Sequence, residues 1–480
     1  MLFFISPDSY IYDLYGKCDS ILFFNDGKAW MNGLIPYHDF SDSKGPLLFL
    51  FYGIGYLLSP TDYIGVFWMS CLLYTIILWL CYRIASVFIE SGWGSMAVAV
   101  LMPISYFNPM AFGEIRAEDI AAVFVALAML MTCLCLYKEK EPILPSFVVG
   151  ICIGACFLIK FTFSAMLIVL AVFLLWHGRK FFWKNISVMV VGGVIIIVPF
   201  MLIFLYEGNL YTFIDEYILK TFQTVGNTNE DPYLLRLWTY FCLNTSILVF
   251  FSSLVACLLV IPFLKQYRYF PLIAFLWFYF VTLQNGIWQY YYASCSIFVI
   301  FGVIALFRYL QEKHIMMFKM FRIAVLATFV ICVSAKAVGY YRWSKPNLFY
   351  EDTYYRHEFW TYANLMGQIK KPTFVGLNGE WGFGTPAESL PGCRYWYLQT
   401  GYTQEMANNQ WQSIEAKVPD FVMIADTDKV SRQRIEFSDY KAYHVKGSKH
   451  ILYSKHHQLK MPADDYTITT SQLLRKKRPW

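Results

Sequence analysis

The stretch "DFSDSKGPLLFLFYG" (residues 39–53) places three charged side chains, Asp39, Asp42 and Lys44, directly before an apolar run. Gly45-Pro46 marks the junction, since proline suits the first turn of a helix, where its missing N–H costs nothing. A charged hook therefore stands at the door of a hydrophobic helix. The composition of the whole chain supports the same reading. Its 480 residues are 58% hydrophobic, 20% aromatic and only 15% charged, with a mean hydropathy of +0.44. A water-soluble fold cannot hide that much apolar surface, so the bilayer is the solvent. The formal net charge of +6 is mild and gives no ground for a nucleic-acid partner. Ten of the twelve cysteines lie in apolar runs, where thiols act as small hydrophobes. Cys18 and Cys393 fall in outer polar segments and are candidates for a disulfide between the first loop and the C-terminal domain. No CxxC pair or Cys/His cluster suggests structural zinc.

Hydropathy predicts membrane helices near 66–89, 95–111, 119–137, 144–159, 163–176, 186–206, 237–264, 270–285, 292–309 and 322–340. The apolar run over 143–176 is too long for one helix, and "IKFTFS" (159–164) breaks it into a tight hairpin. One set of alternate loops holds Lys138, Lys140, Arg179, Lys180, Lys184, Lys265, Arg268, Arg308, Lys313, Lys319 and Arg322, which makes these loops cytoplasmic. The acidic set, with residues 1–65 and everything after 341, then faces outside. Three regions follow: an outer first loop over 1–65 with helices in the membrane interface, a helical membrane domain over 66–340, and an outer C-terminal domain over 341–480. In the last, "PTFVGL" (372–377), "DFVMIA" (420–425), "KAYHVK" (441–446) and "HILYSK" (450–455) read as strands and 403–418 as a helix ending before Pro419, giving a small α/β or α+β domain. The basic tail "LLRKKRPW" reads as a solvated end. No internal repeat of fixed period is present, which weighs against a repeat-built transporter.

Two residues of the first loop suggest chemistry. Asp19 opens a helix over "DSILFFNDGKAWMNGL", placed in the interface with Trp30 at headgroup level. Its carboxylate is suited to an N-cap, to meeting a substrate or a metal, or to both. Lys44, just ahead of a helix start, makes an anion site at the membrane surface, where the available anion is a lipid phosphate; the bland alternative is a lysine that snorkels.

The segment "DSILFFNDGKAWMNGLIPYHDFSDSKGPLLFLFYGIGYLL" (19–58) resembles the first outer loop of the polyprenyl-phosphate-sugar-dependent membrane glycosyltransferases of the GT-C superfamily, among them the protein O-mannosyltransferases and the lipid A aminoarabinose transferases. The shared pattern is an early acid (Asp19), a helix ending in glycine (Gly33), Pro36-Tyr37, Asp39, and Lys44-Gly45-Pro46-Leu47. Weaker similarity extends to "GEIRAEDIAAVFVALAML" (113–130) with Glu118, "GACFLIKFTF" (154–163) with Lys160, "WQYYYAS" (288–294) and "GCRYWYL" (392–398). Ser43 stands where relatives often carry His or Glu. "MLFFISPDSY" offers about four apolar residues before Pro7, so the family's first membrane helix is expected to be missing.

The resemblance implies a polytopic α-helical membrane protein of about ten spans, placed in a bacterial inner membrane with its site on the extracytoplasmic face. It implies transfer of a sugar from a polyprenyl-phosphate donor to an envelope glycan, lipid or protein. Asp19 becomes the catalytic carboxylate and Lys44 a ligand of the donor phosphate. Lys160 and Arg116 are further cations for that phosphate, with Asp39, Asp42 and Glu118 as additional acids. The acids near Asp19 leave two roles open, holding a divalent metal ion or standing solvated. No cofactor is otherwise called for. The chemistry is coherent: an anionic leaving phosphate needs cations and no protonation, the acceptor hydroxyl needs a base, and one displacement inverts the anomeric carbon. Two other function classes compete, a transporter or flippase of lipid-linked glycans and a non-catalytic envelope-assembly protein. A transporter keeps its working charges mid-membrane, whereas these charges gather at the outer surface.

Overall fold

The computed structural model of the chain describes residues 19–60, 64–106, 115–138, 141–221, 245–260, 269–282, 295–313, 354–377, 381–397, 403–445 and 448–460, with a few isolated positions besides. They form two compact units, one from Ser70–Ile203 with Val225–Gly339, the other from Leu2–Met69, Phe204–Thr224 and Tyr340–Trp480. The first loop and the C-terminal segment thus belong to one body, although some 270 residues separate them in sequence.

The first unit is helical. Its described helices are α3 (Ile64–Phe88), which begins in the other unit, α4 (Gly92–Tyr106), α5 (Ala117–Lys138), α6 (Ile143–Ile159), α7 (Phe161–His177), α8 (Phe182–Tyr206), α9 (Thr245–Val260), α10 (Tyr269–Thr282) and α11 (Ser296–Lys313). Among the described residues, α3, α5 and the stretch Arg179–Tyr206 are long and apolar enough to cross a membrane, and several shorter apolar helices accompany them. These helices track the apolar runs closely. The span expected over 322–340 lies outside the described residues but for scattered positions. The hairpin over 143–176 breaks at Lys160, whose extended backbone (φ −156°, ψ 105°) ends α6 and starts α7. Small residues set the tightest contacts here. A Cβ on Gly150 would strike the carbonyl of Met189, and one on Gly154 would lie 2.7 Å from the carbonyl oxygen of Gly193, so α6 and α8 touch backbone to backbone.

The second unit pairs the helices α1 (Asp19–Met31) and α2 (Pro46–Leu58) with a five-stranded sheet. The strands are β1 (Thr373–Gly376), β2 (Leu390–Pro391), β3 (Phe421–Ala425), β4 (Lys441–Tyr443) and β5 (His450–Ser454), in the order β2-β1-β3-β5-β4. β2-β1-β3 run parallel, and β5 and β4 continue antiparallel. Phe421 to Ile424 are all buried, as a central strand covered on both faces requires, while the edges are short. Around the sheet lie α12 (Tyr354–Met366), α13 (Gln404–Glu415) and α14 (Lys429–Phe437). All four expected strands and the helix before Pro419 are present. The two-residue β2 and α14 are additions that the sequence pattern is too short or too polar to announce.

One expectation needs correction. Every residue of α1 from Ser20 to Ala29 is buried, so its polar face is covered by protein rather than water. Asn25 donates to Thr385 Oγ1 at 2.9 Å from this face. The apolar side packs on α2 so closely that a Cβ on Gly27 would strike the backbone nitrogen of Gly53 and lie 2.7 Å from the carbonyl oxygen of Phe49. Because backbone and not a flexible side chain fills that space, Gly27→Leu should destabilise the fold by roughly 1–3 kcal/mol, as for an overpacked core, and lower its thermal midpoint in detergent. A variant that melts with the wild type would show that α1 and α2 do not touch there.

Candidate active site

The "IPYHDFSDSK" turn is a buckle between α1 and α2. Tyr37 adopts a left-handed backbone (φ 67°), a strained state for a bulky residue. It is held there because its ring is fully buried against Phe49, Phe204, Phe213 and Tyr217 and its hydroxyl donates to the Lys44 carbonyl at 2.7 Å. Asn209 donates to the Pro36 carbonyl at 2.6 Å. Asp39 spends its oxygens locally, one taking the Ile35 N–H at 2.7 Å and the other lying 2.7 Å from His38 Nδ1. It is a turn-former.

The buckle presents Asp42 and Lys44. Asp42 is 3% exposed, and its Oδ1 takes the Lys44 N–H at 3.0 Å while lying 3.7 Å from the Lys44 ammonium. Its Oδ2 accepts the Tyr397 hydroxyl at 2.7 Å. Lys44 Nζ donates to Ser43 Oγ at 2.9 Å and lies 5.7 Å from the Phe23 ring centre. Gly45 caps α2 without a side-chain hydrogen bond, and proline follows it. The lysine therefore stands at the positive end of an apolar helix.

Asp26, on α1, lies within the field of the same pair. It is fully buried; one oxygen accepts Trp396 Nε1 at 3.2 Å and the other has no hydrogen-bond partner among the described residues. Burial lifts its carboxyl well above the ordinary 3.8 and Asp42 adds to this, while the Trp396 hydrogen bond and Lys44 act the other way. Tyr397 is raised too, first by burial and then by Asp42, Asp26 and, least, Asp19. Asp19, the first residue of α1, thus belongs to one electrostatic neighbourhood with Asp26 and Asp42. Two residues along from Asp26, the buried Lys28 ammonium has no hydrogen-bond partner among the described residues; burial draws it down to about 7, with Glu388 pulling the other way.

A second cluster lies in the helical unit. Lys160, at the α6–α7 break, donates to Glu118 at 2.7 Å, with both side chains mostly buried. Asp119 accepts the Arg116 N–H at 2.7 Å, closing the first turn of α5, and the Tyr74 hydroxyl at 2.8 Å. The Arg116 side chain is also buried.

Of the sequence-selected residues, Asp19, Asp42 and Lys44 gather in one unit and Glu118, Lys160 and Arg116 in the other, while Asp39 serves its turn. Asp26, Trp396 and Tyr397 in their present roles, with Ser41, Glu216 and Arg394, go beyond the sequence reading. Trp396 and Tyr397 are each 2% exposed, so they are core residues with polar tips on carboxylates and present no open faces to a sugar. Cys393 is a free thiol, and Cys18, its expected disulfide partner, lies outside the described residues. Among the described residues no three or more His, Cys, Asp or Glu side chains are placed to hold a metal ion.

Asp26 carries a pH signature. Its folded-state pKa exceeds its unfolded value, so its contribution to stability is complete below about 3.8 and is lost as pH rises through the folded value. Asp26→Asn keeps the acceptor for Trp396 and removes the charge. Its thermal midpoint should match the wild type near pH 4 and exceed it by a few degrees at neutral pH, at roughly 2–4 °C per kcal/mol. A wild-type midpoint that gained on the variant as pH rose would reverse the assignment.

Residues 43–204 match the family model described as dolichyl-phosphate-mannose-protein mannosyltransferase. No curated protein matches the chain. Among solved structures, ArnT from Cupriavidus metallidurans bound to undecaprenyl phosphate superposes with a TM-score of 0.64 at 12% identity, over 96% of this chain and 97% of that one. The apo state of ArnT gives 0.61 at 11% identity, over 96% of each chain. The likeness thus runs through both units, and the resemblance is borne out: the chain has the fold of ArnT, and over residues 43–204 it matches the pattern of the dolichyl-phosphate-mannose-protein mannosyltransferases.

Proposed function

We propose that the chain is an integral-membrane glycosyltransferase that moves a sugar from a polyprenyl-phosphate donor to a cell-envelope acceptor on the outer face of the membrane, with inversion at the anomeric carbon. The observation that carries this reading is Lys44, held beside buried Asp42 at the open N-terminus of an apolar helix. A cation there suits a phosphate whose prenyl tail runs along lipid-facing surface. The undecaprenyl phosphate bound by ArnT, which shares the fold, supports a donor of that class.

In the proposed reaction Asp19 takes the proton of the acceptor hydroxyl, and the oxygen attacks the anomeric carbon. The bond from that carbon to the phosphate oxygen breaks, and its electron pair leaves with the polyprenyl phosphate. Lys44 and the α2 N-terminus stabilise the charge as it forms. Lys160, in the other unit, is held by Glu118 through a 2.7 Å ion pair and has no part in this step.

Asp19 and Lys44 give separable outcomes. Asp19→Asn, which caps a helix as well as aspartate does, should fold and bind undecaprenyl phosphate yet turn over roughly 10²–10⁴ times more slowly. Lys44→Ala should lose donor affinity, and Lys44→Arg should regain part of it. Transfer from a radiolabelled prenyl-phosphate sugar at the wild-type rate by Asp19→Asn would remove that residue from the mechanism; unaltered donor affinity in Lys44→Ala would return the lysine to a snorkelling role.

A further inference from the structure

Glu216 is a heavily hydrogen-bonded carboxylate of the unit that carries Lys44, and nothing in the mechanism above uses it. It lies in a π-helical turn, Ile214–Leu219, which follows the single helical turn Leu210–Phe213. Such widened turns cost backbone hydrogen-bond geometry and recur at functional sites. Its side chain is 2% exposed and takes four donors: Ser41 Oγ at 2.8 Å on Oε2, and Tyr395 OH at 2.7 Å, Lys220 Nζ at 2.8 Å and Arg394 Nη2 at 2.9 Å on Oε1. Burial alone would raise its pKa, but Lys220, Tyr395, Arg394 and Ser41 outweigh it and hold the carboxyl below the usual range. The group is therefore an anion at neutral pH.

Three of these partners, Ser41, Arg394 and Tyr395, lie on two strips of chain that also touch each other. Ser41 N–H donates to the Arg394 carbonyl at 2.9 Å. One residue beyond Ser41 is Asp42, whose Oδ2 takes Tyr397, two residues beyond Tyr395. Asp42 in turn holds the Lys44 N–H and faces its ammonium. We propose that Glu216 is a positioning residue for the donor-phosphate site: it ties the Ser41–Lys44 turn to the Arg394–Tyr397 strip and thereby sets where the Lys44 ammonium stands. The proposal rests on the assignment of Lys44 to the donor phosphate. Glu216 touches no reacting atom in this account; it acts through Ser41, Arg394 and Tyr395 on the register of the turn. Lys220, which also pairs with Glu405 at 3.1 Å, belongs to the same anchor.

The test is a double-mutant cycle on the full chain in lipid nanodiscs, read as the affinity for undecaprenyl phosphate. Glu216→Gln and Lys44→Ala should each weaken binding about tenfold, and the double variant should bind no worse than Lys44→Ala, because once the lysine is gone its placement no longer matters. A merely structural glutamate gives a different result, with the two losses adding in full, and that result overturns the proposal. So does wild-type affinity in Glu216→Gln while Lys44→Ala is weakened. Wild-type affinity in Lys44→Ala overturns the donor-phosphate reading itself and takes the proposal with it. If Glu216→Gln does not fold, Tyr395→Phe removes one donor from the same carboxylate; it should weaken binding about threefold with the same non-additivity, and full additivity or unchanged affinity would count against the proposal equally.

Discussion

Three consecutive side chains, Tyr395, Trp396 and Tyr397, each give a hydrogen bond to a different buried carboxylate: Glu216, Asp26 and Asp42. An unpaired buried charge costs several kcal/mol, so three acids withdrawn from water demand partners. A strip that gives each of them a donor comes from the far end of the chain, with Asp26 and Trp396 370 positions apart. That demand explains why the first loop and the C-terminal sheet domain form one unit. It also explains the mixed character of the strip, whose aromatic bodies fill the core while their polar tips satisfy the acids.

The acids are not satisfied alike, and the differences sort their roles. Glu216, with four donors, is held ionised and serves as an anchor. Asp26, with one donor and a neighbouring carboxylate, is pushed towards its neutral form. Asp42 stands between a tyrosine hydroxyl and the backbone and ammonium of Lys44, so it fixes the lysine without wholly neutralising it at 3.7 Å. The strained Tyr37 tightens the same turn from the other side through the Lys44 carbonyl. A lysine gripped at its backbone from both sides keeps its ammonium where an incoming anion would need it, and little reorganisation is left to the binding step.

Much of this was legible from residues alone, for identifiable reasons. Apolar runs announce membrane helices because nothing else can bury them, and the break at Lys160 was visible because a charge interrupts such a run. Alternating and continuous apolar stretches named four of the five strands. Asp19, Asp42 and Lys44 stood out because charge beside an apolar helix asks for a reason. Asp39 and Asp42, three residues apart in one acidic turn, could not be told apart, since only the turn's closure shows that Asp39 bonds to its own loop. Asp26 and Glu216 stayed hidden because their partners are far away in sequence. The signal for Asp26 was present as three polar side chains, Asn25, Asp26 and Lys28, in a helix flanked by Phe23, Phe24 and Trp30; a polar face among aromatics implies a polar partner elsewhere in the chain. The sequence does not say which partner, because hydrogen bonds over hundreds of residues leave no local pattern.

The central claim is that the positive end of α2, with Lys44, receives a lipid phosphate. The most direct measurement is a cryo-electron microscopy map of the full chain in nanodiscs with undecaprenyl phosphate. The account predicts phosphate density within hydrogen-bonding distance of Lys44 Nζ. A well-resolved phosphate bound elsewhere, with Lys44 in contact only with Asp42, Ser43 and the Phe23 ring, would contradict it.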